Sequence, residues 1–471
     1  MSGWGTIYST TTYAMREHSR RMAELQMQAS TGARVTRLSD DPADGNRIMH
    51  LASEQRTLAG YTENLHTVVQ SMQEGSAALQ EVSSTLSRTR ELLTQAMGGT
   101  LNDSNQRAVA NEIDSLLEQV VSLANHKSMG RYVFSGASTG VRPYEARTSD
   151  GKITRVTYRG SYEDVPVPVA AGVTRSGLLV GEDIFRSADR QAPRFLGDTG
   201  AAPGEATSSV RGDVWLMLEH TATDYPAGTH GLAAGDDAAD DTILGEHTLR
   251  IDAAAQTIRL DDGAAVDFTP GQTNVEVANA DGDVAHVDLS GWSGSDEEIT
   301  ITGTGTASID GGATTALTSF TGDVTVTDGE TGRVLSVDAG GIRREGVEPV
   351  RVPGTYDVFD ALIAVRDVLA GDRELDPASR QAFLQESMET LEEVSGGVTE
   401  QMTAIGARIS AMDKLTTTLE NIRSEAEVEK NRLGDADLTQ VATDLARTQT
   451  LYQMTLASAS RLLSLSLLDF L

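Results

Sequence analysis

The stretch LQESMET LEEVSGG VTEQMTA IGARISA MDKLTTT LENIRSE AEVEKNR L, residues 384–433, is written here in sevens because an apolar or small residue opens every block. The series is Leu384, Leu391, Val398, Ile405, Met412, Leu419, Ala426 and Leu433. A second series runs near the other end of the chain: Leu51, Leu58, Leu65, Met72, Leu79, Leu86, Leu93. A strict seven-residue step keeps one stripe of a helix facing a partner, so each series reads as a coiled-coil strand. Pro42 suits a first helical turn and Gly98-Gly99 a stop. Each helix would be roughly 80 Å long at 1.5 Å per residue. Matched rods far apart in sequence predict an elongated structure rather than the walls of an active site.

Composition narrows the classes further. The chain has 471 residues, a net charge of −31 and no cysteine. No basic face is available to neutralise phosphates, which argues against general nucleic-acid binding and against docking on anionic lipid. Disulfides, thiolate metal sites and cysteine nucleophiles are excluded. Aromatic residues make up only 4%, so helix seams of Leu, Val, Met and Ala are expected to carry most of the packing. The opening residues, Met1-Ser2-Gly3-Trp4-Gly5-Thr6-Ile7-Tyr8, have neither the basic nor the apolar region of a cleavable signal. No stretch reaches the 18 or so apolar residues of a membrane span.

Helical spacing predicts a first helix over 7–31 with a weak stripe, a rod helix over about 43–97 and a shorter helix over 104–125. Strand signals follow at Tyr132-Val133-Phe134, at the Asp150-Gly151 turn leading into Ile153 to Tyr158, and at Val165 to Val169. From 186 to 345 short alternating runs separated by turn residues predict a β-rich module. Residues 201–340 hold 25 acidic residues against 4 arginines and no lysine, so most of the negative charge sits there. Solubility and mutual repulsion are the preferred explanation over a specific cation site. Gly303-Thr304-Gly305 reads as a turn. Helix resumes at Tyr356 to Ala370 and in the second rod helix from Pro377 to Leu433, where Ser395-Gly396-Gly397 is a candidate kink. A last helix runs from Asp437 to Leu471, too greasy on several sides to rest in water alone.

Catalytic signatures are lacking: there is no His-Glu-x-x-His, nucleophile elbow, Walker-type loop or dinucleotide fingerprint. No enzyme and no cofactor is expected. Asp281, Asp283 and Asp288 offer loop carboxylates and are a weak calcium candidate, without the complete EF-hand order. Asp40-Asp41 before Pro42 reads as helix-entry chemistry, with carboxylates meeting unpaired N–H groups.

Several of these segments together resemble the flagellin family. They are Leu25 to Val35, Leu38-Ser39-Asp40-Asp41-Pro42-Ala43, Gly130 to Gly136, Tyr158-Arg159-Gly160, Asp357 to Asp367, Ile405-Gly406-Ala407-Arg408-Ile409, and the ending Leu465 to Leu471. The proline after the two aspartates is more like the hook–filament junction members than filament flagellin. The resemblance covers residues 1–185 and 345–471, with the acidic insert as the departure.

The resemblance implies a mainly α chain with a β-rich insert: an elongated, flagellin-like coiled-coil rod from both chain ends, with an acidic β module facing outward. The implied parts are a terminal-helix assembly domain (1–42 and 434–471), a rod domain with a β-hairpin (43–185 and 346–433), and the module (186–345). Expected assembly residues are Ile7, Ala14, Met22, Leu25, Leu438, Val441, Leu445, Tyr452, Leu462 and Leu467. Expected rod-packing residues are Leu58, Leu65, Met72, Leu79, Leu86, Leu391, Val398, Ile405, Met412 and Leu419.

As the resemblance implies, the subunit would form a ring of copies between a neighbouring hook-associated protein and flagellin, outside the cell. It would leave through the flagellar export channel with a cytosolic export chaperone and without a cleaved signal, with no nucleic-acid partner and no membrane insertion. The two terminal helices are expected to be poorly ordered alone and to dock between neighbouring subunits. Filament flagellin is the alternative within the class, and a surface adhesin or glycan-binding protein using the module is the alternative outside it.

Overall fold

The computed structural model describes residues 3–98, 103–164, 166–226, 231–373 and 375–468. The chain divides into two compact units: residues 1–69, 166–175 and 409–471 form one, and residues 70–165 and 176–408 the other. Three helices open the chain: α1 (Gly3–Thr31), α2 (Pro42–Met97) and α3 (Asp103–Ala124). α4 (Gly181–Phe185), α5 (Val358–Ala370), α6 (Pro377–Gly434) and α7 (Leu438–Leu468) follow.

In the first unit, helix boundaries follow from capping chemistry. Asp41 accepts from the Asp44 N–H at 3.1 Å and opens α2, while Asp437 accepts from Thr439 and Gln440 and opens α7. α1 packs along α7 of the same chain. The expectation that these helices would await a neighbouring subunit gives way to intrachain pairing: each half-apolar stripe is covered by the other. α2 and α6 run antiparallel here, with Lys430 donating to Gln55 at 3.1 Å and Ile48 filling the space beside Gly434.

In the second unit, α3 packs on α5, tied by the buried Arg366, which pairs with Asp114 and Asp367. The hairpin Tyr144–Ser149 and Lys152–Tyr158 turns through Asp150 and Gly151, both at positive φ. Its Tyr144 joins Phe134, Phe185 and Phe359 in an aromatic cluster with centroids 4.7–5.7 Å apart.

The β-rich region holds an antiparallel eight-stranded sheet. Its main path runs Val266–Asp267, Thr257–Leu260, Gly245–Asp252, Glu297–Ile309, Gly212–Asp224, Gly346–Val352, Arg194–Phe195, with Thr314–Leu317 as the eighth strand against Glu297–Ile309. Strict alternation along Gly245–Asp252 buries Leu249 and Ile251 in one apolar core, and Leu216, Leu244, Ile309, Leu335 and Val350 form another.

Three sequence readings change. Gly303-Thr304-Gly305 lies inside the strand Glu297–Ile309 at a register irregularity, not at a turn. A Cβ on Gly303 would meet the Ile243 carbonyl oxygen at 2.2 Å, and one on Gly305 the Glu219 oxygen at 2.3 Å, so close backbone approach explains both glycines. α6 passes through Ser395-Gly396-Gly397 without a break, because burial of its stripe outweighs a glycine penalty of about 1 kcal/mol each. The sheet also runs past residue 345: Gly346–Val352 is hydrogen-bonded between Gly212–Asp224 and Arg194–Phe195. The segments that enter and leave the module therefore meet at a neck. Ser187 donates to the Tyr356 carbonyl at 2.8 Å, Gln191 to that of Pro353 at 2.9 Å, and the Arg186 guanidinium to Asp357.

Candidate assembly surface

In α1, Leu25 is buried, Ala14 and Met22 are half-buried, and the side chain of Ile7 lies outside the described residues. In α7, Val441 is buried, Leu445 and Tyr452 are half-buried, and Leu438 is 55% exposed. The side chains of Leu462 and Leu467 lie outside the described residues. The structure thus brings most of the expected set onto the paired faces of α1 and α7, and turns Leu438 outward.

The sequence pointed to exposed apolar surface on the last helix, and the structure extends it to the rest of this unit. Eleven of the fifteen large apolar side chains exposed among the described residues belong to the first unit. Tyr13 (72%), Val428 (66%), Met454 (61%), Met49, Leu451 and Leu456 are among them. An apolar surface concentrated on one unit marks it as the part that meets something else.

A latch joins the two ends of the chain. Arg34 donates to the Leu433 carbonyl at 2.7 Å and to Asp41 at 3.1 Å, and also pairs with Asp44. Its own N–H meets the Gly434 carbonyl, and the Ala436 N–H meets that of Gly32. Arg34 stands inside the quoted N-terminal motif, so the motif carried the signal although the residue was not singled out. Asp40 accepts from the Arg37 N–H, then from the hydroxyl and N–H of Thr36, and these bonds hold its carboxyl below the usual range. The Asp44 N–H, then Arg34, do the same for Asp41.

Of the rod residues, Leu65, Met72, Leu79 and Leu86 in α2 and Leu391, Val398, Ile405, Met412 and Leu419 in α6 are buried, and Leu58 is half-buried. Sequence reading missed a second seam on α2, offset by three: Val68, Gly75, Val82, Thr89 and Ala96, all buried. Small and polar members concealed it. A Cβ on Gly75 would meet Leu179 at 2.7 Å and Val133 at 3.0 Å, so the missing side chain makes room for them.

The calcium candidates are not brought together as a ligand set. Asp283 is buried against Arg344 at 2.9 Å and takes a hydrogen bond from Asn279, while Asp288 caps Ser290. Among the described residues no group of three or more acidic, His or Cys side chains could hold a metal. The buried polar networks of the module, Thr223 to Asp241 to His286 and Asp261 to His247, tie strands to loops and end on backbone carbonyls or N–H groups.

Residues 6–139 match the bacterial flagellin N-terminal helical region. The chain is 28% identical over 165 residues to the flagellar hook-associated protein 3 of Salmonella typhimurium, covering 35% of this chain and 50% of that one. It is 31% identical over 163 residues to the protein of the same name in Escherichia coli, covering 34% and 49%. Over residues 6–139 the chain is thus similar to the N-terminal helical region of flagellins, and over about 165 residues to these two hook-associated proteins. It spans about half the length of these relatives. Among solved structures, the hook-associated protein 3 of Legionella pneumophila superposes with a TM-score of 0.44 at 14% identity, over 82% of this chain and 98% of that one. The Arg34 latch and the helix-entry aspartates fall inside the flagellin-like region.

Proposed function

We propose that this protein is a structural subunit of the bacterial flagellum that joins hook to filament by self-assembly of its terminal helices. The observation that carries the reading is the concentration of exposed apolar side chains on the terminal-helix unit, in a chain whose residues 6–139 match the bacterial flagellin N-terminal helical region. In this reading α1 and α7 present Leu438, Leu451, Met454 and Leu456 to the next copy in a ring. α2 and α6 form an antiparallel coiled-coil shaft, and the acidic module faces outward. Neighbouring hook-associated protein and flagellin flank the ring, and a cytosolic export chaperone covers the apolar face before export. The role is mechanical, with no reaction catalysed.

A deletion strain scored for attached filaments and excreted flagellin tests this. Bare hooks with flagellin monomer in the medium are expected; normal filaments would refute a junction role. Filament flagellin is the second reading, favoured by the same terminal helices. Immunogold on isolated filaments separates the two, with label at the hook end for a junction subunit and along the whole length for flagellin.

A further inference from the structure

Residues 126–144 carry Lys127, Arg131 and Arg142 and no carboxylate, in a chain of net charge −31. The fold gathers them at one corner of the second unit. Lys127–Ser128 and Arg131–Tyr132 pair across a tight turn, and the Tyr132 N–H meets the Thr139 carbonyl at 2.9 Å, which brings the loop of Val141 and Arg142 alongside. The neighbouring cations are already matched: Arg147 and Arg155 with Glu330, Lys152 with Asp372, Arg159 with Glu145. Lys127 lies 4.5 Å over the Tyr132 ring, and neither it nor the exposed Arg131 and Arg142 makes an ion pair among the described residues.

Apolar side chains stand among these charges. Met129 is 61% exposed at the turn and Val141 47% exposed, two of the four large apolar side chains exposed outside the first unit. Met129 holds φ at +48°, a conformation that such turns ordinarily give to Asn, Asp or Gly. Lys127, Tyr132 and Arg142 also line a groove of about 440 Å³ against α3 and the hairpin, with Val121 and Ile153 in its wall and Glu118 as its one carboxylate. An exposed apolar patch with cations around it fits a partner surface of small apolar and acidic residues.

The chain itself carries such a surface. Asp236, Asp237 and Asp240 are exposed within one short loop of the module, with Ala233, Ala234 and Ala239 exposed beside them. Asp236 accepts from Thr273 and Asp237 from Asn274, but none of the three makes an ion pair among the described residues. The comparable run Asp296-Glu297-Glu298 is partly engaged, Glu298 by Arg250 at 3.4 Å. The basic corner and the acidic loop are thus both left unmatched inside one chain. Two different surfaces that complement each other make a head-to-tail contact, which closes into a ring where the rotation allows, whereas two like corners facing each other repel.

We propose that the basic corner around Met129 docks on the acidic loop Asp236 to Asp240 of a second copy of this chain. The contact belongs to the second unit rather than to the terminal helices, and it does not depend on the junction role.

The chain has no cysteine, so disulfide trapping between two full-length variants tests the contact. Val141→Cys in one chain and Ala239→Cys in a second, affinity-tagged chain are mixed at physiological salt and oxidised. The mixed dimer is expected to exceed the dimer of either variant alone by about tenfold. Adding Arg131→Glu and Arg142→Glu to the first chain should cut its yield about tenfold, and Asp236→Lys with Asp240→Lys in the second should restore it. Melting temperatures of the reversed chains should match those of the parents; where one falls, Arg142→Glu against Asp240→Lys repeats the exchange with a single charge on each side. No excess of the mixed dimer, a yield indifferent to charge reversal, or a loss that the opposite reversal does not restore would overturn the proposal. The reading is made on isolated protein in solution, so its failure would leave the deletion phenotype and the junction role untouched.

Discussion

Removing the Asp213 carboxylate from beneath Arg351 leaves a cation with nowhere to go. Arg351 is buried, paired twice with Asp213 at 2.7 and 3.0 Å, donates to Ser387 and the Phe383 carbonyl, and lies 4.4 Å over the Phe383 ring. Asp213→Ala should cost about 3–5 kcal/mol, because breaking a buried pair exposes the full desolvation penalty of the survivor. Arg351→Met combined with Asp213→Leu should recover most of that loss, which chemical denaturation of the three variants would read. Neither residue was legible in the sequence. A lone Arg and a lone Asp 138 positions apart carry no periodic signal, and only strand pairing brings them together. At the α2 entry, stability depends on pH. The carboxyls of Asp40 and Asp41 are held below their usual range, so the stability they add is present above about pH 4 and lost as pH falls through the lowered values. Asp41→Asn should flatten the acid side of the melting-temperature profile; an unchanged profile would mean that the capping bond adds nothing.

At the scale of elements, α6 was readable because all eight seven-step residues are buried and all eight are Leu, Val, Ile, Met or Ala, without a polar member. The second seam of α2 was not, since Gly75 and Thr89 do not look like a core. The two strong series suggest a register as well as a pairing. Arg90 reaches Glu392 at 3.5 Å across the antiparallel helices, which would set Leu79 opposite Ile405 and Leu86 opposite Val398. Leu79→Ala and Ile405→Ala should each cost about 2–5 kcal/mol, with a coupling above about 0.5 kcal/mol in the double variant. Plain additivity would mean that the two side chains do not touch. Leu79→Asp or Ile405→Asp should cost more, since a carboxylate in an apolar seam finds no partner. Gly75→Leu should also destabilise, by about 1–3 kcal/mol, through collision with Leu179 and Val133.

At the scale of the whole molecule, the module's limits decide how it can be removed. A cut that replaces residues 190–340 takes away Asp213 and Trp215, while Gly346–Val352 stays behind as an unpaired strand and Arg351 as a buried orphan. That variant should aggregate. Joining Ser187 to Tyr356 through Asn-Gly uses the neck as it stands and removes Arg351 together with its partner. It should fold, export and support filament attachment; loss of attachment despite normal export would make the module part of the junction. Sequence composition placed the module but not its last strand, because Gly346–Val352 is less acidic than the rest and sits beside a family motif.

The neck has a mechanical consequence. The segments that enter and leave side by side are bonded to one another at Ser187–Tyr356 and Gln191–Pro353. Tension pulled along the backbone from the hairpin region toward α6 therefore crosses the neck by those bonds and bypasses the module, as current bypasses a shorted loop. The chain can thus carry a large domain without routing load through it. In an optical trap gripping residues before and after the module, its length should be released only after the neck has ruptured.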